Sequence, residues 1–114
     1  MLSEALRLAI SHPNPGKYPV CAIACDRGGN ILAVGYNSYA KTHPTQARHA
    51  AKANQPGKIY LHAEIAALVK AKGEVYSLSV ARVTKEGASA LAKPCPVCYL
   101  AIREANVRLL EWTQ

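Results

Sequence analysis

Two cysteines, Cys95 and Cys98, have the spacing of a pair of metal ligands. They stand three residues apart at the predicted start of a helix, so both sulfurs can project on one side and converge on a single ion. Thiolates bind zinc, and a helix N-terminus favours the charged form of a thiol. A Cys-x-x-Cys motif is equally compatible with a redox pair or with half of a structural zinc site. The pair by itself therefore leaves these alternatives open.

His62 and Glu64 stand at the start of the preceding predicted helix. His62 offers an imidazole as a third ligand, and three protein ligands leave a fourth position for water, as hydrolysis requires. Glu64 diverges from His62 on a regular helix, so it is not expected to be a further ligand, although its long side chain can reach the bound water as a general acid or base. By itself, a His-x-Glu pair is better explained as surface residues in the first turn of a helix. A closed structural site would need a fourth ligand, and the candidates lack a recognisable spacing from the pair: His12, His43, His49, Cys21 and Cys25.

The hydrophobic pattern predicts seven elements that must position these residues. In chain order they are a helix, two strands, a helix, a strand, a helix and a strand, over 3–11, 20–25, 31–36, 61–72, 75–83, 95–104 and 107–112. Ser3 is the predicted N-cap of the first helix and Pro13 its stop. The order predicts one α/β domain over 1–114, with helices packed on the faces of a sheet.

Predictions also concern two connecting segments and the other two cysteines. Residues 37–58 are polar and basic and are interrupted by prolines, so we predict a functional loop region in which 46–53 could form a short helix. The linker 84–93 is rich in small residues, and the pattern assigns it no role. Cys21 and Cys25 share one face of a predicted strand, too far apart for an easy local disulfide, and are predicted to be buried small hydrophobes.

The charge distribution favours an anionic partner. The formal net charge is +7 and the isoelectric point is near 9.4, which favours phosphate esters or nucleic acid. No acidic residue lies between Asp26 and Glu64, whereas five basic residues do: Arg27, Lys41, Arg48, Lys52 and Lys58. A solubilising surface explains such an excess equally well. Charge alone does not separate a nucleotide from a polynucleotide.

No apolar stretch reaches the length needed to cross a bilayer, and Glu4 and Arg7 fall inside any possible signal core. We therefore expect a soluble, cytoplasmic protein without a membrane partner.

The segment His62-Ala63-Glu64 followed by Pro94-Cys95-Pro96-Val97-Cys98 resembles the signature of the cytidine deaminase superfamily of zinc enzymes. The resemblance implies a cytidine deaminase-like three-layer α-β-α sandwich with a mixed central sheet, here in a minimal version. It also implies Zn²⁺ held by His62, Cys95 and Cys98. Glu64 would carry protons from the water to the base and to the departing amine.

The resemblance extends to the substrate. In relatives the backbone N–H at the position of Ala63 touches the base, and an asparagine at the position of Asn37 contacts the substrate. The run Gly35-Tyr36-Asn37 looks like deoxycytidylate deaminases, although Ser38-Tyr39 stands where a glycine and a proline commonly follow. The basic loop, with Lys41 and His43, could fold over the base and meet a phosphate.

Several substrates and one non-enzymatic role compete. We favour a cytosine nucleotide, dCMP or dCTP, over a free base or nucleoside. The second choice is a cytosine or adenine within RNA or DNA, for which tyrosines could provide stacking surfaces: Tyr36, Tyr39, Tyr60 and Tyr99. A zinc-binding module without activity would have no need of Glu64. Because relatives often carry a further helix and strand, we also expect a homo-oligomer.

Overall fold

The computed structural model describes residues 1–12 and 18–114. Among these residues there are four helices and five strands. The helices are α1 (Leu2–Ser11), α2 (Pro44–Lys52), α3 (Ala63–Lys70) and α4 (Pro96–Glu104). The strands are β1 (Val20–Cys25), β2 (Ile31–Tyr36), β3 (Ser77–Val83), β4 (Ser89–Ala90) and β5 (Leu109–Trp112).

The strands form one mixed sheet in the order β2-β1-β3, with the far edge of β3 shared by β4 and β5. The pairs β1 with β2, β1 with β3 and β3 with β4 are antiparallel, whereas β5 runs parallel to β3. β1 is apolar throughout and buried along nearly its whole length because helices cover both faces of the sheet. The predicted mixed sheet is confirmed.

The helices cover the sheet unequally. α1 packs alone on one face, where its alanines meet a cluster of apolar strand residues. The other three helices are on the opposite face, where α3 packs against β1 and β2 and contacts α4. The predicted three-layer α-β-α arrangement of a cytidine deaminase-like fold is confirmed. No described helix has both the length and the apolar character needed to cross a membrane.

The first helix begins at a different residue from the one predicted. α1 begins at Leu2 with Met1 as its N-cap, so the prediction that Ser3 caps this helix is wrong because Ser3 lies inside the first turn. The predicted stop at Pro13 lies outside the described residues. Cys21 and Cys25 are buried and unpaired, which confirms their prediction as core residues.

The segment predicted as a loop region, with a possible short helix over 46–53, contains a regular helix, α2, over Pro44–Lys52. Pro44 stands in its first turn, where a missing N–H costs no hydrogen bond. His43 is the N-cap, and its Nδ1 accepts a hydrogen bond from the Thr45 N–H at 3.0 Å. The proline that suggested a loop therefore starts a helix.

The linker 84–93 is a hairpin that completes the edge of the sheet. A turn closed by the Ala88 carbonyl, which accepts the Thr84 N–H at 2.8 Å, leads from β3 into β4. The Thr113 hydroxyl then accepts the Arg82 N–H at 3.1 Å and donates to the Ala90 carbonyl at 2.6 Å. The hairpin extends the edge of the sheet beyond the end of β5. The chain then continues directly into the Cys95–Cys98 motif.

Candidate active site

The metal-ligand residues lie where two helices begin on the same face of the sheet. His62 is the N-cap of α3 and Cys95 is the N-cap of α4, and both have extended backbone dihedral angles. Cys98 follows in the first turn of α4 and is buried. Because α3 and α4 pack against each other, residues 33 positions or more apart in sequence meet at one point.

The ligand atoms form a compact triangle. His62 Nδ1 lies 3.2 Å from Cys98 Sγ and 3.5 Å from Cys95 Sγ, and all three ligand atoms lie within 4.8 Å of one another. Tetrahedral zinc with ordinary bond lengths would separate its nitrogen and sulfur ligands by about 3.6 Å. One imidazole and two thiols at these distances suit zinc, and they leave the fourth position to water.

The pKa values of the two cysteine thiols shift in opposite directions. A hydrogen bond from the Cys98 thiol, together with one from His62, lowers the pKa of Cys95 to about 3 despite its partial burial. The same bond and burial raise the pKa of Cys98, and the Cys95 sulfur raises the pKa of His62. Hydrogen bonding within the group therefore favours a thiolate in the cysteine pair, as a cation requires.

Glu64 lies in the first turn of α3 with only 7% of its surface exposed. Burial raises the pKa of its carboxyl group, while the neighbouring His62 opposes that shift. A carboxyl group with a raised pKa takes up and returns protons more readily near neutral pH than an exposed one. Glu64 thus has the environment expected of a general acid and base.

Gly35 sets the distance between α3 and the sheet. A Cβ atom at this position would lie 2.4 Å from the Ala63 carbonyl oxygen and 2.4 Å from the Ala67 nitrogen. No side chain fits at that distance, so α3 rests directly on the backbone of β2. This contact positions the first turn of the helix, which carries Glu64.

A pocket of about 430 Å³ opens beside the metal-ligand group, a volume typical of small-molecule sites. Lys58, Arg82 and Lys93 bring positive charge to it, and Glu64 is the only acidic residue among those that line it. The described residues that line the pocket are Tyr18, Val20, Asn37, Ser38, Tyr39, Gly57, Lys58, Tyr60, Leu61, His62, Ala63, Glu64, Arg82, Leu91, Ala92, Lys93 and Cys95.

One wall of the pocket contains Ser38 and Tyr39 from one stretch of the chain and Lys58, Tyr60 and Leu61 from a neighbouring stretch. The Ser38 N–H donates to the Leu61 carbonyl and the Leu61 N–H donates to the Lys41 carbonyl, both at 2.9 Å. The Ser38 hydroxyl also accepts the Lys41 N–H at 2.8 Å. Ser38 therefore closes a turn at the position where the resemblance led us to expect a glycine.

The structure places the predicted substrate contacts in different locations. Asn37 and Ala63 both line the pocket. The Asn37 amide also holds the start of β1, since it accepts the Val20 N–H at 2.9 Å and donates to the Tyr18 carbonyl at 3.2 Å. Lys41 and His43 are not among the lining residues, and His43 instead caps α2.

Two groups of functional candidates were missed from the sequence. Of the cations at the pocket, Lys58 belongs to the predicted basic interval, whereas Arg82 and Lys93 were missed; Arg48 of that interval instead pairs with Glu104 at 3.0 Å. The acid-free interval contains Lys58, but no local pattern points to a cation in β3 or in the hairpin. Buried Gln46, whose amide accepts the His62 N–H, gave no signal either.

Comparison with known proteins agrees with this geometry. The chain matches the family described as the cytidine and deoxycytidylate deaminase zinc-binding region over residues 1–112. None of the curated proteins compared with it gives a significant match. The family match spans nearly the whole chain and includes the histidine and both cysteines of the metal site. The chain therefore belongs to the cytidine and deoxycytidylate deaminase family of zinc-dependent enzymes.

Proposed function

We propose that this deaminase acts on a cytosine nucleotide, dCMP or dCTP, which it converts to the uracil form with release of ammonia. The observation that carries the proposal is the charge at the pocket, where Lys58, Arg82 and Lys93 are accompanied by one acid, Glu64. Three cations attract a phosphate, while a free base or nucleoside offers them no partner.

In this proposal His62, Cys95 and Cys98 hold zinc. The bound ion would supply a water molecule with a pKa near neutrality, suited to attack on the carbon that bears the amine. Glu64 would accept one proton from that water and pass it to the ring nitrogen, and would then move the second proton of the same water to the amine as the C–N bond breaks and ammonia leaves. Its burial keeps bulk water from competing for these transfers.

The base is held by groups around the zinc site. The Ala63 backbone N–H lies at the start of α3, where it has no acceptor within the helix, so it can donate to the base. Its small side chain lets a planar ring approach. We propose that Asn37 contacts the substrate from the end of β2, while its amide continues to hold the start of β1.

A base within single-stranded RNA or DNA is the second candidate. Its supporting observation is three pocket tyrosines whose surfaces are substantially exposed: Tyr18 at 37%, Tyr39 at 50% and Tyr60 at 49%. Exposed aromatic rings beside cations are the usual equipment for stacking neighbouring bases. Arg82 already lies over the Tyr18 ring, 4.7 Å from its centre, which occupies one face of that tyrosine.

The mechanism is tested by Glu64→Gln, which preserves shape and removes the ability to carry protons. We expect the variant to retain zinc and fold, and to lose deamination by about 10²–10⁴-fold. Zinc content and ammonia release are measured on the same preparation. Wild-type turnover by this variant would reject the role of Glu64.

The substrate is tested by a panel of cytosine, cytidine, dCMP, dCTP, guanine, adenosine and single-stranded oligonucleotides. We expect the highest kcat/KM for dCMP or dCTP and a rise in KM for Arg82→Gln and Lys93→Gln. Arg48→Gln is the matched control because Arg48 pairs with Glu104 and does not line the pocket. Activity confined to oligonucleotides would establish the second candidate instead.

Self-association and a cytoplasmic location are further parts of the proposal. Large apolar side chains remain exposed on a single chain, among them Ile10, Leu91 and Leu109. A homo-oligomer would cover part of this surface, and light scattering coupled to gel filtration tests it. Nucleotide pools are found in the cytoplasm, and cell fractionation tests that location.

A further inference from the structure

Gln46 is a fully buried polar residue outside the pocket. It lies in α2, and none of its surface is exposed. It is not among the residues that line the pocket, and the chemistry proposed above does not use it. A buried amide must find partners for both of its ends, so its position is determined by the groups that it contacts.

Both ends of the Gln46 amide bind the segment that leads into the metal site. Its Oε1 accepts the backbone N–H of His62 at 3.1 Å, and its Nε2 donates to the Lys58 carbonyl at 3.0 Å. In sequence, Gln46 is separated from His62 by 16 positions and from Lys58 by 12 positions. A single side chain therefore spans 58–62 from one end to the other.

The contact with His62 provides an acceptor for a backbone N–H that has none within the helix. As the N-cap of α3, His62 has no acceptor for its N–H within the helix, and its side chain provides no cap hydrogen bond. The His62 backbone is extended at this point, and its Nδ1 lies 3.2 Å from Cys98 Sγ and 3.5 Å from Cys95 Sγ. A partner that holds this N–H thereby also limits the rotation of the backbone that aims Nδ1 at the two sulfurs.

We propose that Gln46 is a positioning residue for the zinc ligand His62 and, through the Lys58 carbonyl, for the cation beside the pocket. It holds the ligand from the backbone side, whereas the partners of metal-ligating histidines more often bind the second ring nitrogen. The inference rests on the zinc site and does not depend on which base or nucleotide is the substrate.

The test compares two substitutions at this position. Gln46→Met has nearly the same shape and leaves the His62 N–H and the Lys58 carbonyl without partners. Gln46→Glu keeps an acceptor for His62 and loses the donor to Lys58. We expect zinc affinity to fall by about 10–100-fold in the first variant. The second variant should bind zinc more tightly than the first.

Glu104→Gln provides the matched control. Glu104 also binds α2, through Arg48 at 3.0 Å and His49 at 3.1 Å, but it makes no contact with the segment 58–62. The substitution should loosen α2 against α4 and leave zinc affinity unchanged. A loss of affinity as large as that of Gln46→Met would show that any loosening of α2 suffices, and would overturn the proposal.

The main readout is the zinc dissociation constant, measured by competition with a chromophoric chelator on folded protein. Cobalt substitution adds a second readout, because the visible spectrum of Co²⁺ reports the geometry of its nitrogen and sulfur ligands. We expect a changed spectrum for Gln46→Met and the wild-type spectrum for Glu104→Gln. Wild-type affinity together with the wild-type spectrum in Gln46→Met would overturn the proposal.

If Gln46→Met does not fold, Gln46→Glu and Gln46→Asn decide the question. Asparagine is too short to reach both partners, so we expect its zinc affinity to fall below that of the glutamate variant. The reverse order would overturn the proposal. Because zinc affinity is measured without substrate, failure of the nucleotide assignment would leave these results unaffected.

Discussion

The two faces of the sheet use the same residue type for opposite purposes. On the α1 face Cys21 and Cys25 belong to an apolar cluster, and burial raises the pKa of the Cys21 thiol to about 11. On the other face Cys95 and Cys98 meet His62 at two helix N-termini, and hydrogen bonding lowers the pKa of Cys95 to about 3. The environment, and not the residue type, determines which thiols are available to a metal.

The same division holds for the buried polar side chains of the helices. Gln46, His49 and Glu64 are all on the face covered by α2, α3 and α4. The α1 side of the sheet is packed by small apolar side chains, with Ala5 and Ala9 fully buried. The α1 face is thus a packed apolar layer, and the face with three helices carries the polar groups of the candidate active site.

The largest expected effect comes from removing one cysteine on each face. Cys98→Ala should bind no stoichiometric zinc and should show no deamination, because two ligands do not hold the ion in a catalytic geometry. Cys25→Ala should retain one zinc ion per chain and lose about 1 kcal/mol of stability through a small cavity. Metal analysis and urea denaturation measure the two effects, and zinc loss from Cys25→Ala would break the comparison.

Removal of zinc should separate the cysteines by reactivity. When a chelator strips the ion from the native protein, we expect an alkylating reagent to label Cys95 first, because its sulfur is partly exposed and its pKa is lowered. Cys21 and Cys25 should react only after unfolding. Mass spectrometry of peptides over time measures the order, and early labelling of Cys21 or Cys25 would contradict the assignment of a closed α1 face.

Gly35→Ala tests how closely α3 must approach the sheet. The added Cβ would stand 2.4 Å from backbone atoms of α3, so we expect a loss of about 1–3 kcal/mol in stability. Deamination should also fall because the first turn of α3 carries Glu64. Gly28→Ala is the control, since its Cβ would meet nothing closer than 3.4 Å. Equal losses of stability and activity in the two variants would show that the close approach of α3 to Gly35 is not required.

The smallest effect is expected for Glu104→Gln, as a change in the pH dependence of stability. Arg48, then His49, lowers the pKa of the Glu104 carboxyl to about 2, and Lys52 adds to this. The unfolded value is about 4.3, so the ion pairs stabilise the native state at pH 7 and this stabilisation is lost as the pH falls toward 2.

The stability of wild type should therefore exceed that of Glu104→Gln at pH 7, and the difference should shrink below about pH 4. Urea denaturation at several pH values measures it. Zinc content should be equal in the two proteins. A difference that grows toward low pH would contradict the assigned direction of the pKa shift.

The periodic and motif-bearing segments were predictable from the sequence. Both members of the β-hairpin, the helix after His62 and the helix after Cys95 have strong local patterns, and the structure confirms all of them. Local signals were weaker in 37–58, where the possible helix over 46–53 is present but begins earlier, at Pro44. The hairpin over 84–93 had no local sequence pattern because it is held by pairing with β3, beside β5, which is distant in sequence.

The proposed phosphate contacts show where local reasoning stops. Lys41 and Arg48 lie in the basic interval of the sequence, yet neither lines the pocket, and Arg48 pairs with Glu104. Arg82 and Lys93 come from other elements and reach the pocket through the sheet and its hairpin. Proximity in sequence predicted the sign of the charge near the site and one residue that carries it, Lys58, but not Arg82 or Lys93.

The sequence by itself determined the chemical family of this protein, since a histidine, a glutamate and two cysteines at motif spacing predict metal ligands and a proton carrier. Only the tertiary structure decided how these groups meet: Gly35 lets α3 rest on β2, and Gln46 holds the backbone of His62. The reason is physical, because motif spacing is local to one helix start, whereas the convergence of two helix starts depends on packing between distant segments.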